Sequence, residues 1–297
     1  MRVPFQDALR QRRTLIGDGA MGTELQKAGL EPGGCGDEWN LLYPERVLAI
    51  QCAYAAAGSQ CLITNTFGSN AFVLARYDLQ DRVEEIAQAA ARIARQAIGD
   101  DGYVLGDVGP CGGFLAPLGE ITEDELAHSL RRQIGALLSG GVDAIIFETM
   151  TALDELELGI RIARELGAPC IIASLAFDKL KGGGYKTMMG VAPQDAARAA
   201  TAAGADVLGA NCGTRLEPAE FVEITRLYRE VSGLPIMLQP NAGTPRLEGT
   251  NIVYPVLPDD IAPTLAELAQ HAAVVGGCCG SGPAYIRAFA EALNSNR

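Results

Sequence analysis

Cys278 and Cys279 stand side by side in a run of glycines, Gly276, Gly277, Gly280 and Gly282, directly after the apolar pair Val274-Val275. A strand that ends in side-chain-free positions lets the backbone turn sharply and lets another group approach closely. Thiolates held there can act as metal ligands or nucleophiles. A vicinal disulfide is the alternative, and it is strained. Paired cysteines usually have Cα atoms ~5.5 Å apart, whereas neighbours in a trans chain are only ~3.8 Å apart. Two thiolates on one soft-ligand metal such as zinc are less demanding, but a third thiol is needed. Cys212, in Asn211-Cys212-Gly213, is the candidate. Two carboxylates also fall where apolar runs stop: Asp18 after Leu15-Ile16-Gly17, and Glu148 after Ala144-Ile145-Ile146-Phe147. Asp18 could be a turn residue bonded to its own backbone. Glu148 could be a structural carboxylate bonded to turn amides, although its position at the end of an apolar strand favours a functional role.

These residues need a scaffold that gathers distant strand ends. Short apolar runs at 15–18, 60–67, 103–108, 142–149, 169–177, 205–213, 234–241 and 272–276 read as eight strands. Helical patterns lie between them, at 44–57, 81–98, 122–140, 153–166, 193–203, 218–231 and 258–271, with a closing helix at 283–293. Pro44 suits a first helical position and Gly58 a stop, and Thr122-Glu123-Asp124-Glu125 reads as a capping box. Alternating strands and helices in this number predict a single-domain (β/α)8 barrel over residues 1–297. In such a barrel the strand C-terminal ends meet at one mouth. That brings Asp18, Asn65, Glu148, Cys212, Asn241, Cys278 and Cys279 to the same face. Three protein thiolates with an open fourth position is the pattern of a catalytic zinc site.

The 297 residues are 48% hydrophobic and 20% charged, which suits one barrel of ~250 residues or somewhat more. A net charge of −12 argues against nucleic-acid and anionic-membrane partners. No apolar run reaches the ~20 residues of a membrane span, and the N-terminus lacks a secretory apolar region, so a cytoplasmic location is expected. Cys52, Cys61 and Cys170 are expected in the core and Cys111 in packing, with Cys35 neither ligand nor catalyst. His128 and His271, the two histidines, fall in helical patterns, which disfavours histidine-based zinc sites and a Ser-His-Asp hydrolase. There is no dinucleotide fingerprint and no P-loop. Residues 179–186 read as a solvated loop able to order over a substrate.

The motifs Asp18-Gly19-Ala20-Met21-Gly22-Thr23, Thr64-Asn65-Thr66-Phe67, Val108-Gly109-Pro110, Phe147-Glu148-Thr149, Gly209-Ala210-Asn211-Cys212-Gly213, Gln239-Pro240-Asn241-Ala242-Gly243 and Gly276-Gly277-Cys278-Cys279-Gly280 span nearly the whole chain. Together they resemble the homocysteine S-methyltransferase family, and most of all the homocysteine-binding barrel of cobalamin-dependent methionine synthase. The resemblance implies one zinc per chain on Cys212, Cys278 and Cys279, with Asn241 a fourth ligand when substrate is absent. It implies that Asp18 and Glu148 hold the amino end of homocysteine. Gly19, Ala20, Met21, Gly22 and Thr23 would orient the substrate, with Asn65 beside it. The implied activity is methylation of homocysteine, bound as a zinc thiolate, to methionine.

Three thiolates on zinc leave a net −1, and a fourth makes −2, which keeps the substrate sulfur electron-rich. The family's donors are methylcobamides, betaines and methylated sulfonium compounds. No cobalamin or folate domain fits in this length, so a separate corrinoid protein or a directly bound sulfonium is expected. Rival readings are methylation of a different thiol, a homocysteine-binding module of a larger corrinoid system, and a barrel hydrolase or lyase using Asp18 and Glu148 as acid and base. Oligomeric state is left open by the sequence.

Overall fold

The computed structural model describes residues 2–11, 13–248 and 251–295. The apolar runs form strands β1 (Leu15–Ile16), β2 (Cys61–Ile63), β3 (Tyr103–Val108), β4 (Ala144–Met150), β5 (Ile171–Leu175), β8 (Val207–Asn211), β9 (Ile236–Gln239) and β12 (Val274–Val275). Two short hairpins, β6 (Asp178–Lys179) with β7 (Tyr185–Lys186) and β10 (Arg246–Glu248) with β11 (Asn251–Val253), complete the set. The eight longer-range strands are hydrogen-bonded in the order β1-β12-β9-β8-β5-β4-β3-β2, every pair parallel.

The remaining seam, between β1 and β2, is closed by local bonds. Gln60 donates its N–H to the Ile16 carbonyl at 2.7 Å. Its side-chain Oε1 accepts from the Ile16 N–H at 3.2 Å, and Asp18 Oδ2 accepts from the Ile63 N–H at 2.7 Å. A parallel barrel with helices between its strands is the (β/α)8 architecture expected.

Alternation along each strand sorts its side chains into two cores. Outward residues such as Val104, Val108, Ile145, Phe147 and Leu208 pack against the helices. Inward residues, among them Leu105, Ile146, Ile172, Val207 and Met237, fill the barrel floor together with Cys61 and Cys170. Two positions further along the same strands the inward residue becomes polar: Asp107, Glu148, Ser174 and Gln239, with Asn211 four beyond Val207. The floor is a packed plug, and the polar layer above it is the base of the mouth.

The helix Pro44–Ala57 starts on its proline and stops at Gly58, which has φ 110°. Thr122 and Glu125 form the expected capping box. The run after Gly19 forms the helix Met21–Lys27, as the good helix formers Glu24, Leu25, Gln26 and Lys27 allow. Three expectations need correction. Residues 179–186 are not an open loop but belong to the β6–β7 hairpin. The helix before β12 ends at Leu268, leaving His271 beyond it. Cys52 is exposed, since the buried face of its helix carries Val47, Ile50, Gln51, Tyr54 and Ala57. Among the described residues no helix is long and apolar enough to cross a membrane.

Candidate metal and substrate site

At the mouth lies a cavity of about 390 Å³ whose wall includes Asp18, Asn65, Glu148, Cys212, Cys278 and Cys279, together with Gly19, Ala20, Met21, Gly22 and Thr23. The Sγ atoms of Cys212, Cys278 and Cys279 lie within 4.8 Å of one another, and they form the one metal-competent cluster among the described residues. Cys278 and Cys279 Sγ are 4.0 Å apart, and all eight cysteines are free thiols. Zinc–sulfur bonds of ~2.3 Å in a tetrahedron place sulfurs ~3.8 Å apart, so the Cys278–Cys279 pair already has that spacing and the whole cluster lies within about 1 Å of it.

Backbone geometry makes this convergence possible. Cys212 follows β8 in the left-handed region, with φ 58°, and its N–H is tied to the Gln239 carbonyl at 3.1 Å. A non-glycine residue there carries strain that the surroundings must offset. On the opposite lip, a Cβ on Gly19 would come within 2.0 Å of the Ser281 carbonyl oxygen. Only glycine lets the β1 loop close against the loop bearing Cys278 and Cys279. Those two loops are further locked by Tyr54, whose hydroxyl donates to the carbonyls of Ala20 and Ser281, each at 3.0 Å.

Two asparagine amides point at the sulfurs. Asn241 stands behind Cys212, with Nδ2 3.6 Å from its Sγ and 3.0 Å from the Gly213 carbonyl, while its Oδ1 is buried without a partner. Asn211 places Nδ2 3.9 Å from Cys278 Sγ. Its Oδ1 accepts from the Thr149 N–H at 3.0 Å and its Nδ2 donates to Thr149 Oγ1 at 2.7 Å. Thr149 also has a left-handed φ, 59°, and β4 is bulged between Phe147 and Met150. In the cluster, hydrogen bonds from Cys278, Cys279 and Asn241 hold the Cys212 thiol down near 3, and Cys278 and Cys279 are pushed up by sharing that charge.

The other wall is acidic. Burial raises Asp18 and Asp107 well above the carboxylate range, and it lifts Glu148 to about 7 and Asp37 to about 6. Among the described residues no lysine, arginine or histidine lines the cavity. Glu148 Oε1 accepts from Gln239 Nε2 at 3.1 Å, and Asp18 Oδ1 is buried with no partner. Asn65 commits its amide to the Gly36 carbonyl at 2.8 Å and to Asn40 Oδ1 at 3.4 Å, which pins the glycine-rich loop. Ala20 gives its N–H to Ser281, whereas the first-turn N–H groups of Met21, Gly22 and Thr23 have no partner among the described residues.

Asp37, Asp107, Asn211 and Gln239 escaped the sequence reading. For three of them the signal was present: each sits at an inward strand position, Asp107 and Gln239 two residues above an apolar one and Asn211 four above Val207. Cys111 is buried packing, as expected, and Cys61 and Cys170 are buried core residues.

A family model for homocysteine S-methyltransferase matches residues 15–293. The methionine synthase of Mycobacterium tuberculosis is 35% identical over 97% of this chain and 25% of its own length, and that of Mycobacterium leprae is 33% identical over 95% and 24%. The chain thus spans about a quarter of the length of these curated relatives. Among solved structures, the metallated form of the Escherichia coli homocysteine methyltransferase MmuM superposes with TM-score 0.77 at 22% identity, covering 99% of this chain and 100% of that one. A 2,3-dimethylmalate lyase shares the barrel alone, with TM-score 0.51 and 18% identity over 98% of this chain and 83% of its own. With motifs, topology and near-complete coverage in agreement, the chain belongs to the homocysteine S-methyltransferase family.

Proposed function

We propose that this chain binds homocysteine at the barrel mouth and catalyses transfer of a methyl group to its sulfur, giving methionine. The observation that carries the reading is the meeting of three thiols from two distant strand ends on one wall of a cavity whose other wall is carboxylate. Cys212, Cys278 and Cys279 would hold one zinc ion. Zinc, when bound, supplies a Lewis acid that keeps a coordinated thiol deprotonated at neutral pH, where a free thiol of pKa ~8.5 is mostly protonated.

The chain's own residues do the positioning. Asp18 and Glu148 accept from the substrate ammonium, and the first-turn N–H groups of Met21, Gly22 and Thr23 receive its carboxylate. Asn241 and Asn211 turn N–H dipoles toward the cysteine sulfurs and lower the cost of their negative charge. Rotated about its last torsion, Asn241 would offer its unpartnered oxygen as a fourth ligand when no substrate is present. Fixing both ends of the amino acid holds its sulfur in line with the incoming methyl, and such alignment is worth several kcal/mol of barrier. The methyl leaves its donor for the sulfur lone pair.

The donor is a methylcobamide carried by a separate protein, or a methylated sulfonium or betaine taken up directly. Likeness to the methionine synthases, of whose length this chain spans about a quarter, favours a methylcobamide donor. Incubation of zinc-loaded protein with homocysteine and each donor class, with methionine quantified, tests the proposal. Methionine from one class fixes the donor. Methylation of another thiol while homocysteine stays unchanged overturns the acceptor.

A further inference from the structure

One buried carboxylate has no role in that scheme. Asp107 is the inward residue near the end of β3, directly above Leu105 of the floor, and it is 2% exposed. Its main chain is fully engaged. Its N–H goes to Thr64 Oγ1 at 2.9 Å, and its carbonyl accepts from Thr66 Oγ1 at 2.8 Å and Gln133 Nε2 at 3.1 Å. Its side chain lines the cavity, yet Oδ1 is buried without a hydrogen-bond partner. The backbone is therefore braced to hold a carboxyl oxygen that nothing among the described residues satisfies.

Its strand places it. Asp107 lies on β3, which pairs with β4, the strand that carries Glu148, whereas the cysteines follow β8 and β12. Asp107 therefore stands on the carboxylate wall with Asp18 and Glu148. Asp18 and Asp107 each keep a buried oxygen with no partner, and Glu148 has one oxygen committed to Gln239. Clustered carboxyl groups in a pocket whose described lining has no basic residue avoid mutual repulsion by holding protons, and an entering cation lets them ionise. A primary ammonium carries three N–H donors, and Asp18 with Glu148 accounts for two.

We propose that Asp107 is the third acceptor for the ammonium group of the substrate, so that the site selects a thiol bearing a free primary amine. This rests on the acceptor reading above. Asp107 acts as a specificity determinant: it makes no contact with the reacting sulfur, and its removal leaves the zinc ligands in place. A carboxyl group retained for substrate binding also burdens the empty protein, since burying it without a hydrogen-bond partner is unfavourable whether or not it holds a proton.

The test compares wild type and Asp107→Asn, both full-length and zinc-loaded, by calorimetric titration with L-homocysteine and with 4-mercaptobutanoate, the same thiol acid without the amine. Wild type should prefer homocysteine. In Asp107→Asn that preference should shrink by ~10- to 100-fold, the loss of one charged hydrogen bond, entirely through weaker homocysteine binding. Thermal unfolding of the substrate-free variant should occur at the same temperature as wild type or higher. Asp107→Ser, which removes the charge without supplying an amide, should repeat the pattern. Unchanged discrimination in the variants overturns the role of Asp107 alone, as does equal weakening for both thiols or loss of fold in both variants. A wild type indifferent to the amine overturns the acceptor reading, and this inference with it.

Discussion

The two walls of the cavity are built on different principles. The sulfur wall, at the ends of β8 and β12, must bring three atoms to within 4.8 Å of one another, so its quality is set by backbone geometry. It uses a left-handed Cys212, a side-chain-free Gly19 under Ser281, and a Tyr54 hydroxyl bonded to both lips. The carboxylate wall, at the ends of β1, β3 and β4, needs no common point. Its groups act through charge in a poorly solvated pocket, so burial sets its quality. One wall fails when an atom moves; the other fails when a charge is removed. Metal content and amine recognition should then be separable by mutation.

The sharpest break in that comparison is Cys278→Ser. It should remove zinc and abolish methyl transfer while leaving the fold intact, because a small polar side chain replaces a partly exposed thiol. Metal analysis together with a thermal melt checks both halves. A variant that retains stoichiometric zinc would show that the three sulfurs are not the ligand set.

Glu148→Gln attacks the opposite wall. Zinc content should stay at the wild-type level while kcat/KM for homocysteine falls by ~100-fold or more, the effect of breaking one side of a buried ion pair. The same variant carries a pH signature. Burial raises Glu148 from 4.5 to about 7, so between those values the folded protein binds a proton that the unfolded chain has released. Stability of substrate-free wild type therefore falls as pH rises through that window. Glu148→Gln lacks the penalty and should gain on wild type by ~1–2 kcal/mol from pH 4.5 to 7, reduced from the full linkage value because the side chain opens onto the cavity. Parallel melts across the window measure it, and curves with a constant separation would place the titrating group elsewhere.

The two walls also differ in how far the sequence exposes them. Asp18 and Glu148 end apolar runs, and the paired cysteines interrupt a glycine nest, so each breaks a local pattern. Asp107 is followed by Val108 and hides inside what reads as an unbroken strand; only inward alternation above Leu105 picks it out. Asp37 lies in a glycine-rich loop with no periodicity to show which way it faces. It is placed by tertiary bonds from the Gly68 N–H and the Ser69 hydroxyl, at 2.9 and 2.7 Å. The barrel itself was readable because parallel strands buried on both faces are continuous apolar runs punctuated by glycine and proline. The β6–β7 hairpin was not, since two-residue strands of lysine, aspartate and tyrosine carry no such run. The helix 44–57 was placed correctly, but its alanine-rich surface gives little amphipathic contrast, and the exposure of Cys52 could not be read from it.

Asn211 is where the separation of the walls should become incomplete. Its amide bridges them, braced against Thr149 beside Glu148 and pointing its N–H toward Cys278. Asn211→Ala frees the left-handed Thr149 to relax and removes an N–H dipole from a sulfur. Both walls should then weaken together, each modestly: zinc affinity by about tenfold, the lower end of what outer partners of metal ligands contribute, and homocysteine affinity by a similar factor. Competition with a chelator measures the first, and titration of the zinc-saturated variant measures the second. Loss of zinc affinity with unchanged homocysteine affinity at saturating metal would mean that the bulge in β4 holds Glu148 without help from Asn211. The coupling between the walls would then have to run through the barrel strands themselves, through Gln239, whose side chain reaches Glu148 and whose carbonyl holds the Cys212 N–H.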